Sequence, residues 1–282
     1  MQNFVLNNNV IMPSVGLGTF LLEPYDAENS VREALKDGYR LIDTANAYMN
    51  ERAVGRAMRA SGVAREDIFL STKLWPNEYE NKNAVDNTLE RLGTDYVDLL
   101  FVHQPAGNWR AGYEQVVKAY KEGKTRSIGV SNFEGNFIKE LLSEFDVKPQ
   151  VMQVECHPLF PQVELRKVTD RENIRIMSWF PLGGKGKTAE ILESPIVTAL
   201  ADKHRKTPAQ IVLKWHTQMG FVVIPGSKNP EHIKENIELF DFYLDGDDMN
   251  EMAKLNVGQR HHIQTPESLI RYATWCPTYE AE

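Results

Sequence analysis

Eight short apolar runs punctuate the chain: "SVGLG", "RLIDT", "IFLSTK", "VDLLFVH", "RSIGVSN", "VMQVE", "IRIMSW" and "FVVIPGS". They are mostly continuous rather than alternating, the pattern of strands buried on both faces of a parallel sheet. Helix-length amphipathic stretches separate them. Ala27, Val31, Ala34 and Leu35 share one helical face, as do Tyr113, Val116, Val117 and Tyr120. Thr207 and Pro208 open another helix, with Ile211, Trp215 and Met219 one below another. Before the first run, "NFVL" and "VIMP" flank Asn7 to Asn9 and predict a short hairpin, suited to cap the bottom of a barrel. Near the other end, "VVIPGSKNPEHIKEN" predicts a strand that stops at Pro225 and a helix capped by Asn229 with Pro230 first. Helix starts of this kind attract anions, phosphate above all.

Eight strand–helix units make either a closed (β/α)8 barrel or a long open sheet. An open dinucleotide-binding sheet would carry a glycine fingerprint after an early strand. The early glycines in "GLGT" have the wrong spacing for it. The reading is therefore one (β/α)8 barrel domain spanning 1–282, with its site in the loops at the C-terminal face. A length of 282 residues suits that fold. A net charge of −7, with acids and bases interleaved, argues against a nucleic-acid surface. No apolar run reaches the roughly 18 residues of a membrane span. "MQNFVLNNNVIMP" lacks the build of a secretory signal. The two cysteines, Cys156 and Cys276, make no metal-type pair, and a cytoplasmic setting is expected.

In such a barrel the chemistry sits at strand ends. Asp43 and Tyr48 follow "RLI", Lys73 follows "IFLST" and His103 follows "LLFV". Later runs end in Ser131 and Asn132, in Gln153 and Glu155, in Trp179 and in Ser227. Singly, each has an ordinary reading: Asp43 an N-cap, Lys73 a solvated charge, His103 a satisfied edge imidazole, Tyr48 packing. Together, an acid, a phenol, an amine and an imidazole at adjacent strand ends suggest proton donation. An ammonium beside a phenol lowers the phenol's pKa, and a carboxylate holds the ammonium in place. A neutral imidazole can orient a substrate oxygen. Such a tyrosine is a general acid, and hydride from a nicotinamide is its natural counterpart.

These residues resemble the aldo-keto reductases over essentially the whole chain. The carriers are "GLGTF" (16–20), "DTANAYMNERAVGRA" (43–57), "STKLW" (71–75), "TDYVDLLFVHQP" (94–105), "EGKTRSIGVSNF" (122–133), "QVECHP" (153–158), "SWFPLG" (178–183) and "IPGSKNPEHIKEN" (224–236). The bacterial branch of 2,5-diketo-gluconate reductases and general aldehyde reductases is the most similar. The resemblance implies a catalytic tetrad of Asp43, Tyr48, Lys73 and His103. It implies that Ser131, Asn132 and Gln153 hold the nicotinamide carboxamide and that Trp179 stacks on the ring. The loop from Phe180 to Gly186, including Leu182 and Gly184, would cover the pyrophosphate. Ser227, Lys228, His232, Glu235 and Asn236 would meet the adenosine end, with Phe20, Trp75 and Gln104 in the substrate pocket. No metal is implied, and a monomer is expected.

Two departures stand out. Gln104 replaces the tryptophan that often follows the catalytic histidine, which makes the pocket more polar. Gly226 and His232 stand where NADPH-preferring relatives commonly carry Lys and Arg, so NADH should be usable alongside NADPH, with Lys228 as the possible substitute cation. The tail "RHHIQTPESLIRYATWCPTYEAE" is either a pocket-shaping loop, through Tyr272 and Trp275, or a terminal packing helix. The expected function is NAD(P)H-dependent reduction of a small aldehyde, ketone or keto-sugar. The alternatives are a Schiff-base aldolase using Lys73, a non-catalytic cofactor-binding regulatory barrel and, weakest, a glycosidase with Asp43 and Glu155 as its pair.

Overall fold

The computed structural model describes residues 2–184 and 186–280. Two strands, β1 (Asn3–Val5) and β2 (Ile11–Pro13), form an antiparallel hairpin. Eight parallel strands follow: β3 (Leu17–Gly18), β4 (Leu41–Asp43), β5 (Phe69–Leu74), β6 (Leu99–Val102), β7 (Ile128–Ser131), β8 (Val151–Glu155), β9 (Arg175–Trp179) and β10 (Val222–Val223). Each pairs with the next in chain order. A parallel bridge between Val15 and Val223 closes the ring, so the sheet is a (β/α)8 barrel. The barrel's first and last strands are short, and the seam between them is tight. A Cβ on Gly226 would stand 2.7 Å from the Gly18 carbonyl oxygen, and one on Gly18 would stand 2.7 Å from that of Ile224.

The helices form the outer layer: α1 (Pro24–Lys36), α2 (Glu51–Ala60), α3 (Ala84–Leu92), α4 (Trp109–Lys121), α5 (Asn136–Glu144), α6 (Val163–Arg171), α7 (Thr188–Leu192), α8 (Pro195–His204), α9 (Pro208–Gln218), α10 (Pro230–Ile237), α11 (Gly246–Ala253) and α12 (Pro266–Thr274). The predicted faces are the buried ones: Ala27, Val31, Ala34 and Leu35 in α1, and Ile211 and Trp215 in α9. Thr207 and Gln210 make a reciprocal capping box at the start of α9, and Asn229 caps α10, as the sequence anticipates. No helix among the described residues is long and apolar enough to cross a membrane.

The apolar interior is split in two. The larger cluster lies between strands and helices; the smaller fills the barrel with Leu41, Phe69, Leu99, Phe101, Val151 and Met177. Leu6 and Met12 of the hairpin join that inner cluster. Asn8 donates to the carbonyl of Arg126 (3.0 Å) and Asn7 to that of Pro149 (3.3 Å), just ahead of β7 and β8. The hairpin thus plugs the N-terminal end of the barrel. The opposite end, at the C-terminal tips of the strands, is not covered by the hairpin.

Candidate active site

Asp43, the last residue of β4, is 1% exposed and fully engaged. Its Oδ1 accepts from Ser71 Oγ (2.6 Å) and Gln153 Nε2 (3.1 Å), and its Oδ2 accepts from Lys73 Nζ (2.6 Å). Lys73 also donates to the Thr44 carbonyl (2.8 Å). Tyr48 ends a 3-10 turn, Asn46–Tyr48, that Met49 terminates in the left-handed region (φ 59°). The Tyr48 ring lies 4.8 Å from Lys73 Nζ and 5.6 Å from the His103 ring. His103 in turn meets Trp75 edge-on at 4.9 Å. Asp43, Tyr48, Lys73 and His103 therefore come together, as the sequence predicts.

Their electrostatics differ from the sequence reading in one respect. The expectation was that Lys73 lowers the Tyr48 pKa. Instead burial, and after it the Asp43 carboxylate, push the phenol well above its ordinary value. The reason is that Lys73 Nζ spends its hydrogen bonds on Asp43 and Thr44, and its charge is matched by Asp43. Lys73 acts on His103: burial first, then the Lys73 charge, hold that imidazole well below its ordinary pKa. Burial also lowers Lys73, against the pull of Asp43 and Glu51. The result is a protonated phenol beside a neutral imidazole.

A single long cleft of about 920 Å³ opens above this group. Asp43, Tyr48 and His103 line it; Lys73 does not. At one end stand Phe20, Trp75 and Gln104. The Gln104 backbone is fixed by the Tyr79 hydroxyl through both N–H and carbonyl, at 2.9 and 2.8 Å, while its Oε1 has no hydrogen-bond partner, as is true of His103 Nδ1. Ser131, Asn132, Gln153 and Trp179 follow along the cleft. Ser131 and Gln153 are register partners across β7 and β8. Asn132, in the left-handed region (φ 64°), accepts from the Trp179 indole (3.0 Å), which fixes the ring plane. Phe180, Leu182 and Gly184 line the next stretch, and Lys185 lies outside the described residues.

The far end is made by Ser227, Lys228, His232, Glu235 and Asn236. Ser227 Oγ accepts from the Asn229 N–H (3.1 Å), which shapes the turn before α10. Lys228 is exposed and lies 3.6 Å from the Asp26 carboxylate. Glu235 accepts from the Thr207 hydroxyl. Sequence reasoning did not single out Asp26, Thr188, Leu192 or Thr207 to Ala209, all of which also line this end. Only the helix start at Thr207 carried a signal.

The tail does both things weighed for it. Residues 266–274 form α12, and Tyr272 and Trp275 line the cleft. Each packs edge-on against Trp75, at 5.4 and 5.3 Å, and the Trp75 indole donates to the Trp275 carbonyl (3.1 Å). His262 also lines the cleft and was missed. Glu155 does not line it. Among the described residues one group has the composition of a metal site, Glu155 with His157 and His261, whose ligand atoms lie within 4.8 Å of one another. The two imidazoles stack at 4.6 Å and 24°, so their in-plane lone pairs run side by side instead of converging.

The class follows from comparison with known proteins. Residues 14–257 match the Aldo/keto reductase family, and the chain belongs to it. It is 44% identical over 262 residues to an aldo-keto reductase of Mycolicibacterium smegmatis, covering 90% of this chain and 94% of that one. Glyoxal reductase of Bacillus subtilis is 42% identical (90% and 93% covered), and methylglyoxal reductase DkgA of Escherichia coli K12 is 39% identical (90% and 94%). Among solved structures, an aldo/keto reductase from Brucella melitensis superposes with a TM-score of 0.86 at 42% identity, over 90% of this chain and 99% of that one. The chain is thus an oxidoreductase, similar to the bacterial branch that the sequence motifs suggested.

Proposed function

We propose that the protein is an NAD(P)H-dependent reductase of small aldehydes, ketones or keto-sugars, with Tyr48 as the proton donor. The observation that carries this is the pairing of a protonated phenol with a neutral imidazole at the floor of the cleft. A reduced nicotinamide held beside Trp179 by Ser131, Asn132 and Gln153 would supply the hydride for the carbonyl carbon. Tyr48 gives its proton to the carbonyl oxygen as negative charge develops, which completes the alcohol. His103, neutral, donates a hydrogen bond that orients that oxygen. Lys73 offsets the Asp43 charge, which alone would make the phenol a still weaker acid.

The residues fit the cofactor. Ser131, Asn132 and Gln153 line the cleft near Trp179, with Asn132 at the edge of its indole, and their amide and hydroxyl groups suit a carboxamide-bearing ring. The turn at Ser227 leads into the N-terminus of α10, suited to phosphate or ribose oxygens. Because Lys228 already faces Asp26 and Gly226 carries no charge, a 2′-phosphate meets less positive charge there than two dedicated cations would supply. This supports relaxed use of NADPH and NADH. Glyoxal and methylglyoxal, named in relatives, are the first substrates to try. The aldolase reading is disfavoured because Lys73 is 0% exposed, does not line the cleft and is tied to Asp43. The glycosidase reading is disfavoured because Glu155 faces elsewhere. The test is steady-state reduction of short aldehydes, dicarbonyls and keto-sugars with each cofactor. Turnover by the wild type and its loss in Tyr48→Phe is expected; no turnover with any of them would reject the reading and favour a regulatory cofactor-binding barrel.

A further inference from the structure

Glu155 stands two residues after Gln153 on β8, yet it takes no part in the cleft. It is 1% exposed, and both its carboxylate oxygens carry partners. Oε1 accepts from His157 Nε2 (3.0 Å) and from the backbone N–H of His261 (2.5 Å); Oε2 accepts from the N–H of His262 (3.0 Å). Burial pushes this carboxyl up, but the three hydrogen bonds outweigh it and keep the group below the usual carboxylate range. The two amides belong to the segment that crosses from α11 to α12. Arg260 adds an ion pair to Glu134 (2.6 Å) and lies 3.8 Å from Glu155 Oε2.

The next contacts lead back to the site. His261 Nδ1 donates to the Gly183 carbonyl (3.0 Å), on the loop that follows Trp179. His262 sits edge-on to the Trp179 ring at 5.8 Å, and its Nε2 lies 3.3 Å from the Tyr272 hydroxyl. We propose that Glu155 is a positioning residue: it pins residues 260–262 across the barrel mouth, and so sets His262 against Trp179 and His261 against the Gly183 loop. The wall of the cleft is then one assembly of strand end, loop and tail, held from a buried carboxylate. The effect on turnover rests on the reductase reading, in which Trp179 faces the nicotinamide and Tyr272 the substrate. Asp43, Tyr48, Lys73 and His103 make no contact with Glu155, so binding should suffer more than the chemical step.

Glu155→Gln tests this, because an amide offers one acceptor oxygen and turns an NH2 against the second backbone donor. Hydrogen exchange of the 258–264 segment should accelerate by about tenfold or more. The carbonyl KM should rise by roughly five- to tenfold, with kcat changed by less than about twofold. Glu155→Asp keeps the charge and should fall between the two; it also serves if the glutamine variant does not fold. In His262→Ala, adding Glu155→Gln should raise KM little further, since the tie acts through His262. Unchanged exchange, unchanged KM despite faster exchange, or additive effects on KM would each overturn the proposal. The exchange readout needs no activity, so a wild type without turnover would sink the reductase reading while the tether is still judged.

Discussion

The two ends of the cleft are built on different terms. At the Tyr48 end, Lys73 and Asp43 are 0% and 1% exposed, 2.6 Å apart, with further partners for both. At the Ser227 end, the Lys228 side chain is 73% exposed and lies 3.6 Å from an Asp26 that is itself 33% exposed. A buried charge left unpaired costs several kcal/mol, whereas an exposed pair contributes about 0–1 kcal/mol. The first end is therefore locked: each group requires the others. The second is permissive: its exposed charges can change with little harm to the fold, which on the proposed reading leaves cofactor choice free to drift.

The largest contrast should come from the locked end. Tyr48→Phe should cut the reduction rate by roughly 10²–10⁴-fold, with cofactor affinity, read by titration of tryptophan fluorescence, nearly unchanged. Lys73→Met should cost at least about 10²-fold in rate, because it leaves the Asp43 charge beside the phenol. It should also destabilise the fold by about 3–5 kcal/mol, measured by urea unfolding; a variant as stable as wild type would show that the pair is not the lock described.

An intermediate effect is expected beside the lock. Gln104→Trp changes only a side chain, since Tyr79 fixes the backbone. It should shift kcat/KM from small polar carbonyls toward aromatic aldehydes by about tenfold (about 1.4 kcal/mol). An unaltered ranking of substrates would remove Gln104 from the specificity argument.

The pH dependence separates the ends further. An imidazole in the unfolded chain takes up a proton near about pH 6.5; folded His103 does so only at lower pH. Stability from neutral His103 is thus present above about pH 6.5 and is lost as the pH falls below it. Turnover should not drop at the ordinary histidine midpoint. A fall in kcat/KM centred near about 6.5 that disappears in His103→Asn would contradict the neutral-imidazole account.

The smallest effects belong to the permissive end. Lys228→Ala should change the ratio of kcat/KM for NADPH over NADH by only a fewfold, since Asp26 already draws on that charge. A collapse of NADPH use would mean that Lys228 supplies the phosphate contact after all. Installing a lysine at Gly226 is not a clean converse, because its Cβ would press on the Gly18 carbonyl at the barrel seam.

Legibility in the sequence follows the same division between local and distant causes. Continuous apolar runs marked the strands, Thr207-Pro208 and Asn229-Pro230 marked helix starts, and polar strand ends marked the group of Asp43, Tyr48, Lys73 and His103. Each of those signals lies within a few residues. What was not legible depends on long-range contacts. The direction of the Tyr48 shift is set by burial, which no spacing reports. Glu155 was visible as a strand end, but its amide partners lie 106 and 107 residues on. The tail's dual role needed the edge-on packing of Trp75 with Tyr272 and Trp275.

The central claim is hydride transfer to a carbonyl carbon with proton delivery from Tyr48, and isotope tracing tests it most directly. Wild-type enzyme would be given methylglyoxal and nicotinamide cofactor carrying deuterium at the transferable position, and the product analysed by mass spectrometry and NMR. The account predicts an alcohol with one deuterium on the former carbonyl carbon, formed far more slowly by Tyr48→Phe. Product without deuterium at that carbon, or label transfer at an undiminished rate in Tyr48→Phe, would contradict it.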